Sequence, residues 1–506
     1  MTLSRNLLAG LASSVWIALV GFAVVPLYLK FLGIEAYGLI GFLAMTQALL
    51  QILDLGLAPT INREVARCTA TGSLDQAQTL LHTLATLYWG IAAVIAVATI
   101  ALAPLIAAHW LTANHLSRDT VMHAVMLMGL VIACRWPVGL YLGALMGAQR
   151  LTTSSAISMV MGTLASGGAV AVIAWVSPTI EAFFIWQALV GVLHAAIMRR
   201  AAWRAIGRLP VTRFDRLALK KVWRFSAGMM AVAFSGLVFT QLDKLILSKF
   251  LSLGDFGRYA LATVVVSSLY VLITPLFNAI YPRFSALVAI HDTAGLGDLY
   301  RLGTRLLGTI LFPLAMLLAV YGGDLVQVWT GNTEIAAAVA PVIALLAIGS
   351  ALHGVMHMPY ALQLAYGMTR LPLTINAILM VILVPLIVSL ATLFGGLGGA
   401  MAWFTLHVLY LLLGTTLTHR TLLKGLGGKW LLHDVGTPLV ISALVGGFAF
   451  FYLRNMDGSI YLRLLGGATL AGLAALLSLA ASPKLRAAVL AAVLNKIVPG
   501  KKTVDT

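Results

Sequence analysis

Long apolar runs follow one another from Asn6 to Ala481 with only short polar breaks between them. A run of about 20 apolar residues is what an α-helix needs to cross the hydrocarbon of a bilayer. Lipid offers the backbone no hydrogen-bonding partner, so such a run must satisfy its own amides as a helix. About fourteen spans are predicted. Asn6–Leu29, Tyr37–Ile61, Thr79–Trp110, Thr120–Met146, Leu151–Ser177 and Pro178–Met198 make a first six, and Phe225–Phe250, Tyr259–Tyr281, Leu302–Val326, Glu334–Leu362, Leu371–Phe394 and Gly398–Thr418 a second six. Val435–Leu453 and Ile460–Ala481 follow. The expected fold class is an all-α polytopic membrane protein, and at 61% hydrophobic and 10% charged residues nothing is left over for a soluble domain. The first run follows Arg5 as a secretory leader would, but it is too long and no small-residue cleavage site precedes Lys30, so it reads as a permanent helix.

The chain then divides into an N-terminal six-helix lobe (1–198), a basic cytoplasmic linker (199–224), a C-terminal six-helix lobe (225–420), two further spans (421–482) and a basic cytoplasmic tail (483–506). A net charge of +17 would suggest nucleic acid in a soluble protein, but here its distribution along alternating loops decides its meaning. A cytoplasmic N-terminus places roughly 25 of the 33 Lys and Arg on the inside, as the positive-inside rule requires. The densest cluster, Arg199, Arg200, Arg204, Arg208, Arg213, Arg216, Lys220, Lys221 and Arg224, reads as a topogenic linker touching anionic headgroups. No aromatic platform accompanies it, which argues against nucleic acid. The segment from Lys484 to Val498 has the pattern of a short amphipathic helix lying on the membrane. Cys68 in a loop and Cys134 in a span imply neither a disulfide nor a zinc site.

An internal repeat organises the spans. Lys30, Phe31, Leu32, Tyr37 and Gly38 are matched by Lys249, Phe250, Leu251, Phe256 and Gly257, and Gly147, Arg150 and Leu151 by Gly367, Arg370 and Leu371, at an offset of about 219 to 220 residues. Each match falls after equivalent spans, so six helices repeat in the same orientation, a parallel arrangement in which transporters place the substrate between the halves.

Polar side chains in a lipid-embedded helix are costly, so their spacing marks the face that meets protein or water. Span two carries Gln47, Gln51 and Asp54 on one face, and its repeat mate, span eight, carries Ser267, Tyr270, Thr274 and Asn278. Span seven adds Gln241, Lys244 and Ser248, with Asp243 beside them. These stripes suggest the walls of an aqueous cavity; interhelical hydrogen bonds in a closed bundle are the alternative. Arg135, beside Trp136 and Pro137, is the deepest cation. It reads as an anchor for a phosphate or acidic sugar, or else as a partner for a carboxylate such as Asp54 or a brace at the proline. Asp243 and Lys244 read as an ion pair or a cation site in the cavity wall, and Asp54 as a coupling group or a cap near Arg63 and Arg67. His353 and His357 stand four apart, a spacing that metal sites use, but no third ligand is evident; a protonation role and, above both, ordinary packing are the other readings. No phosphate-binding loop is present, and Gly395–Gly399 joins two spans with no strand before it, so neither ATP hydrolysis nor a dinucleotide cofactor is expected. The outer loops are too short for the catalytic loop of a membrane polymerase or ligase, so an enzyme is not expected.

The stretch Val25, Pro26, Leu27, Tyr28 through Phe31, Leu32, Gly33, then Tyr37 and Gly38, then Leu53 to Leu57 and Arg63, resembles the opening of Wzx-type polysaccharide and O-antigen flippases of the multidrug/oligosaccharidyl-lipid/polysaccharide exporter superfamily. So do Gln241 to Lys244 with Gly257 and Tyr259, and Tyr281 with Pro282. The resemblance implies two six-helix lobes alternately open inward and outward, with spans one, two, seven and eight lining the cavity. It implies an undecaprenyl-diphosphate-linked oligosaccharide substrate, carried across the bacterial inner membrane for O-antigen, capsule or exopolysaccharide assembly (lipopolysaccharide in the O-antigen case). Membrane lipids, and glycan polymerases or glycosyltransferases, are the implied partners of a monomer with cytoplasmic termini. Two extra helices are usual in flippases and usually missing from the multidrug branch; in peptidoglycan-precursor flippases they form a groove for the lipid tail. On these terms Arg135, Lys244, Gln47, Gln51, Tyr270, Thr274 and Asn278 are the candidate headgroup contacts, and Asp54 and Asp243 the candidate ion-coupling groups. The alternatives are a cation-coupled efflux antiporter for organic cations and, more distantly, a membrane enzyme of glycan assembly.

Overall fold

The structure, a computed structural model, describes residues 2–207, 214–453 and 458–487. Arg208, Arg213 and most of the segment from Lys484 to Val498 therefore lie outside the described residues. Among the described residues, eleven helical stretches are long and apolar enough to cross a membrane. Apart from turns and one isolated bridge between Thr112 and Ser252, those residues are helical.

The helices run α1 (Thr2–Leu50), α2 (Leu57–Thr71), α3 (Leu74–His109), α4 (Arg118–Gly147), α5 (Leu151–Trp175), α6 (Ile180–Ile206), α7 (Arg216–Phe250) and α8 (Leu253–Ser267). They continue as α9 (Tyr270–Ala289), α10 (Thr293–Thr330), α11 (Thr333–Val355), α12 (His357–Ala365) and α13 (Arg370–Thr421). Last come α14 (Gly427–Lys429), which runs into a π-helical stretch Trp430–Val435, then α15 (Gly436–Phe448) and α16 (Ile460–Ala480).

The bounds differ from the expected fourteen in an instructive way. Two pairs of predicted spans are joined without a loop, because a single glycine turns the chain: Gly33 (φ 79) within α1 and Gly395 (φ 59) within α13. Three predicted spans are broken internally. Span two stops at a 3-10 turn, Gln51–Asp54, and resumes as α2 after Leu55 (φ 54) and Gly56 (φ 72). Span eight is divided between α8 and α9, and span ten between α11 and α12, each at a tightened turn where Leu269 (φ -62) and Met356 (φ -69) keep right-handed helical backbone.

The chain forms two compact units, Met1–Gly257 and Arg258–Thr506. In the first, Leu57, Ile61 and Val65 of α2 pack with Leu84 and Tyr88 of α3, Leu140 and Tyr141 of α4, and Met198 and Trp203 of α6. Small residues let α4 reach the backbone of α2. A Cβ at Gly143 would stand 2.6 Å from the Ala58 carbonyl oxygen, and one at Gly147 2.4 Å from that of Asn62, the close approach that drives helix association where lipid removes the hydrophobic incentive. The repeat-mate glycines Gly38 and Gly257 also meet, both within this unit. A Cβ on Gly38 would lie 2.2 Å from the Leu253 oxygen and one on Gly257 2.4 Å from the Ile34 oxygen, so each copy of the motif presses on the other at the same register. Beside them Glu35, 6% exposed, accepts the backbone N–H groups of Asn114, His115 and Leu116 at 2.9 to 3.2 Å and fixes the loop between α3 and α4. Leu253 N–H donates to Thr112 O at 2.7 Å, tying that same loop to the start of α8.

In the second unit α10 is the central helix, packed by α9, α11, α15 and α16. The two C-terminal spans approach it through glycines: a Cβ at Gly446 would meet Met316 Cγ at 2.3 Å, and one at Gly467 the Tyr321 ring at 2.6 Å. Ion pairs join α10 to α16 and to the helical segment after it (483–487), Arg463 with Asp324 at 3.1 Å and Lys484 with Asp298 at 2.8 Å.

Candidate functional site

In the first unit, the break in span two puts polar groups where an unbroken helix would have none to spare. Gln51 is exposed, and Gln47 and Asp54 are half-buried. Asp54 has local work: one carboxylate oxygen accepts the Tyr88 hydroxyl, and the other accepts Ala58 N–H at 3.3 Å. The second bond serves one of the backbone donors that a helix start leaves without an intrahelical partner. α7 packs against the same 3-10 turn. It bears Asp243, 2% exposed, and Lys244, whose ammonium lies 3.4 Å from the Asp243 carboxylate and donates to the Thr240 carbonyl at 3.1 Å. The turn and α7 thus bring Gln51, Asp54, Asp243 and Lys244 onto adjoining elements.

Arg135 lies elsewhere in that unit. Its guanidinium donates to Gln187 Oε1 of α6, and Gln187 Nε2 donates to the Ala165 carbonyl of α5 at 3.3 Å. A Cβ on Gly191 would stand 3.2 Å from Arg135 Cγ, so the stem rests on α6 where the facing residue has no side chain. The carboxylate considered as its partner, Asp54, is bonded to Tyr88 instead.

In the second unit the break in span eight leaves Ser267, Thr274 and Asn278 exposed, with Tyr270 at the first position of α9. Tyr270 shares a 2.8 Å hydrogen bond with His353 Nδ1. Around His353 the rings of His357 (4.9 Å between centroids) and His407 (4.8 Å) close a cluster backed by Trp403, 4.3 Å from His407. His357 and His407 each donate from Nδ1 to the carbonyl four residues earlier, at 3.1 and 2.8 Å, which leaves Nε2 as the acceptor of the neutral ring. His407 escapes a reading of the sequence because 50 residues and a helix turn separate it from His357. Among the described residues no group of three or more His, Cys, Asp or Glu is arranged to hold a metal.

The two breaks occupy neighbouring places in the repeat. The offset that carries Gly38 to Gly257 carries Gln51, the first residue of the turn in span two, to Tyr270, the first residue after the interruption in span eight, so the two repeats interrupt their second helices at adjoining positions rather than at one and the same, with polar side chains beside each. Interrupted helices are where membrane transporters expose backbone and side-chain groups to a solute.

A search of curated protein sequences returns no match. Among solved structures, the lipid II flippase MurJ in an inward closed conformation has the same fold (TM-score 0.67, 13% identity, covering 92% of this chain and 97% of that one). So do an inward-facing multidrug resistance transporter of the MATE family, MOP superfamily (TM-score 0.63, 13% identity, 80% and 95%), and a point mutant of the MATE transporter VcmN of Vibrio cholerae (TM-score 0.58, 15% identity, 83% and 96%). The family model described as polysaccharide biosynthesis protein matches residues 3–288, more than half the sequence. This multi-pass membrane chain belongs to the polysaccharide biosynthesis protein family.

Proposed function

We propose that the chain is a flippase that moves an undecaprenyl-diphosphate-linked oligosaccharide from the inner to the outer leaflet of the bacterial inner membrane by alternating access, for O-antigen, capsule or exopolysaccharide assembly. The observation that carries this reading is the pair of repeat-related helix breaks, each furnished with hydrogen-bonding side chains. A sugar headgroup faces about 30 Å of hydrocarbon, and amides and hydroxyls at Gln47, Gln51, Tyr270, Thr274 and Asn278 replace the water it gives up. Lys244 and Arg135 attract the diphosphate, and Asp54 or Asp243 couples the cycle to a cation gradient. The prenyl chain stays in lipid, so only the headgroup needs escorting.

Chain length favours this reading over drug efflux. The two MATE structures are 95–96% used while covering 80–83% of this chain, whereas the lipid II flippase covers 92% of it. The test is translocation in proteoliposomes of a fluorescent prenyl-diphosphate oligosaccharide, read by accessibility of the sugar to a non-permeant lectin. Lys244→Gln and Gln51→Ala are expected to slow transfer about tenfold, the effect of losing a ~1.4 kcal/mol contact, with normal incorporation. Wild-type vesicles that leave the sugar lipid in place but expel an organic cation would end the proposal.

A further inference from the structure

A second polar site in the second unit is built on α10, the π-helical stretch and the segment after α16. Asp434 in the π-helical stretch is fully buried and receives two guanidinium groups, Arg301 through Nε at 2.8 Å and a terminal nitrogen at 3.3 Å, and Arg305 through Nε at 2.5 Å. Arg305 also donates to Ser482 Oγ at 3.2 Å. Behind them Trp430, itself fully buried, donates to Thr304 at 2.9 Å and stacks on Tyr300 at 5.8 Å. The two arginines are therefore held from behind while both stay partly exposed. A guanidinium has five N–H groups, and these bonds use two on each. In front of them is a cleft of about 250 Å³ lined by Asp298, Leu299, Arg301, Leu302, Arg305 and Lys484.

Charge and depth both say what such a cleft takes. Arg301, Arg305 and Lys484 stand against two carboxylates, Asp434 and Asp298, so one positive charge is left over for an anion. The ion pairs at Asp298 and Asp324 mark positions on α10 about 39 Å apart at ~1.5 Å of rise per residue. That is close to the ~40 Å or slightly more of a bilayer with its headgroup layers, so the cleft sits at phosphate level. Leu299 and Leu302 supply the apolar side that a glycerol and the start of an acyl chain would cover. Forked guanidinium donors fit phosphate oxygens in a way a single ammonium does not.

We propose that this cleft binds the phosphodiester headgroup of an anionic membrane phospholipid, seated on Arg301 and Arg305 and closed by Lys484, and that the bound lipid fastens the two C-terminal spans to α10. The inference stands whether or not the chain flips a sugar lipid. The test uses the purified full chain in a neutral detergent, with lipid binding followed by native mass spectrometry and by the shift in melting temperature. Phosphatidylglycerol is expected to bind at least about fivefold more tightly than phosphatidylcholine. Lys484→Gln, a change at an exposed side chain, should lower that affinity about fivefold, the factor given by ~1 kcal/mol per basic residue near an anionic surface, while leaving the lipid-free melting temperature unchanged. Arg301→Gln should lower it further. Equal binding of the two lipids, or phosphatidylglycerol binding that Lys484→Gln and Arg301→Gln both leave intact, overturns the site. Displacement of the lipid by millimolar inorganic phosphate overturns its assignment to a lipid in favour of a soluble anion.

Discussion

Asp434 shows how much one buried carboxylate can organise. It holds two arginines one helical turn apart on α10, and with no exposed surface of its own it depends on them as much as they on it. Removing one member of a buried ionic group leaves the rest uncompensated, at about 3 to 5 kcal/mol. Arg301 and Arg305 are 28% and 17% exposed, which puts the expectation for Asp434→Asn at the lower end, about 3 kcal/mol, measured by denaturant titration in mixed micelles. The neighbouring pair Lys484 and Asp298, 67% and 63% exposed, is the internal control: Asp298→Asn should shift stability by less than about 1 kcal/mol. None of this is legible in the sequence. Charges at the ends of apolar runs are ordinary topogenic residues, and nothing local says that Arg301 and Asp434, 133 positions apart, will meet. The residues that stand out in the sequence do so because they lie inside spans. The structure separates them into Asp54, Asp243 and Lys244 on adjoining elements of the first unit, and Arg135 bonded to Gln187 on α6.

At the scale of elements, the helix breaks differ in how they announce themselves. The one in span two carries a local mark over which the predicted span Tyr37–Ile61 runs unbroken: Gly56 takes positive φ, as glycine does at least cost, next to Leu55, which takes it without that freedom. Gly56→Ala should destabilise by roughly 1 kcal/mol or more, read in the same titration. The one in span eight has no glycine, and the proline nearest it, Pro275, sits inside α9 instead. There the backbone tightens to bonds three residues apart at Ser268 and Leu269, and Tyr270, which opens α9, bonds His353. Tyr270→Phe keeps the ring and removes that bond, with an expected cost of about 1 kcal/mol. The repeat itself is readable from matched short motifs, and the mutual approach of Gly38 and Gly257 explains why glycine stands in both copies. Gly38→Val would drive a side chain into the Leu253 carbonyl, where backbone cannot yield as a side chain can. About 2 kcal/mol of destabilisation is expected, visible as a lower melting temperature.

For the molecule as a whole, the apolar runs announce nearly every helix, because the bilayer leaves the backbone no other choice. Hydropathy misplaces the joints, since it does not register a glycine that turns a helix without a loop. The orientation derived from Lys and Arg makes a direct prediction: a fluorescent protein fused after residue 487 should glow, and alkaline phosphatase fused at Gly331 should be active, as expected for cytoplasmic and outer faces respectively. The paired ion bridges on α10 carry one more consequence. Fixed charges at two levels of one helix act as a ruler for acyl-chain length, and mismatch costs a fraction of a kcal/mol per Å. The protein should accordingly be least stable in short-chain lipids, whose thin leaflets would strand one bridge in water and draw its apolar flanks out with it.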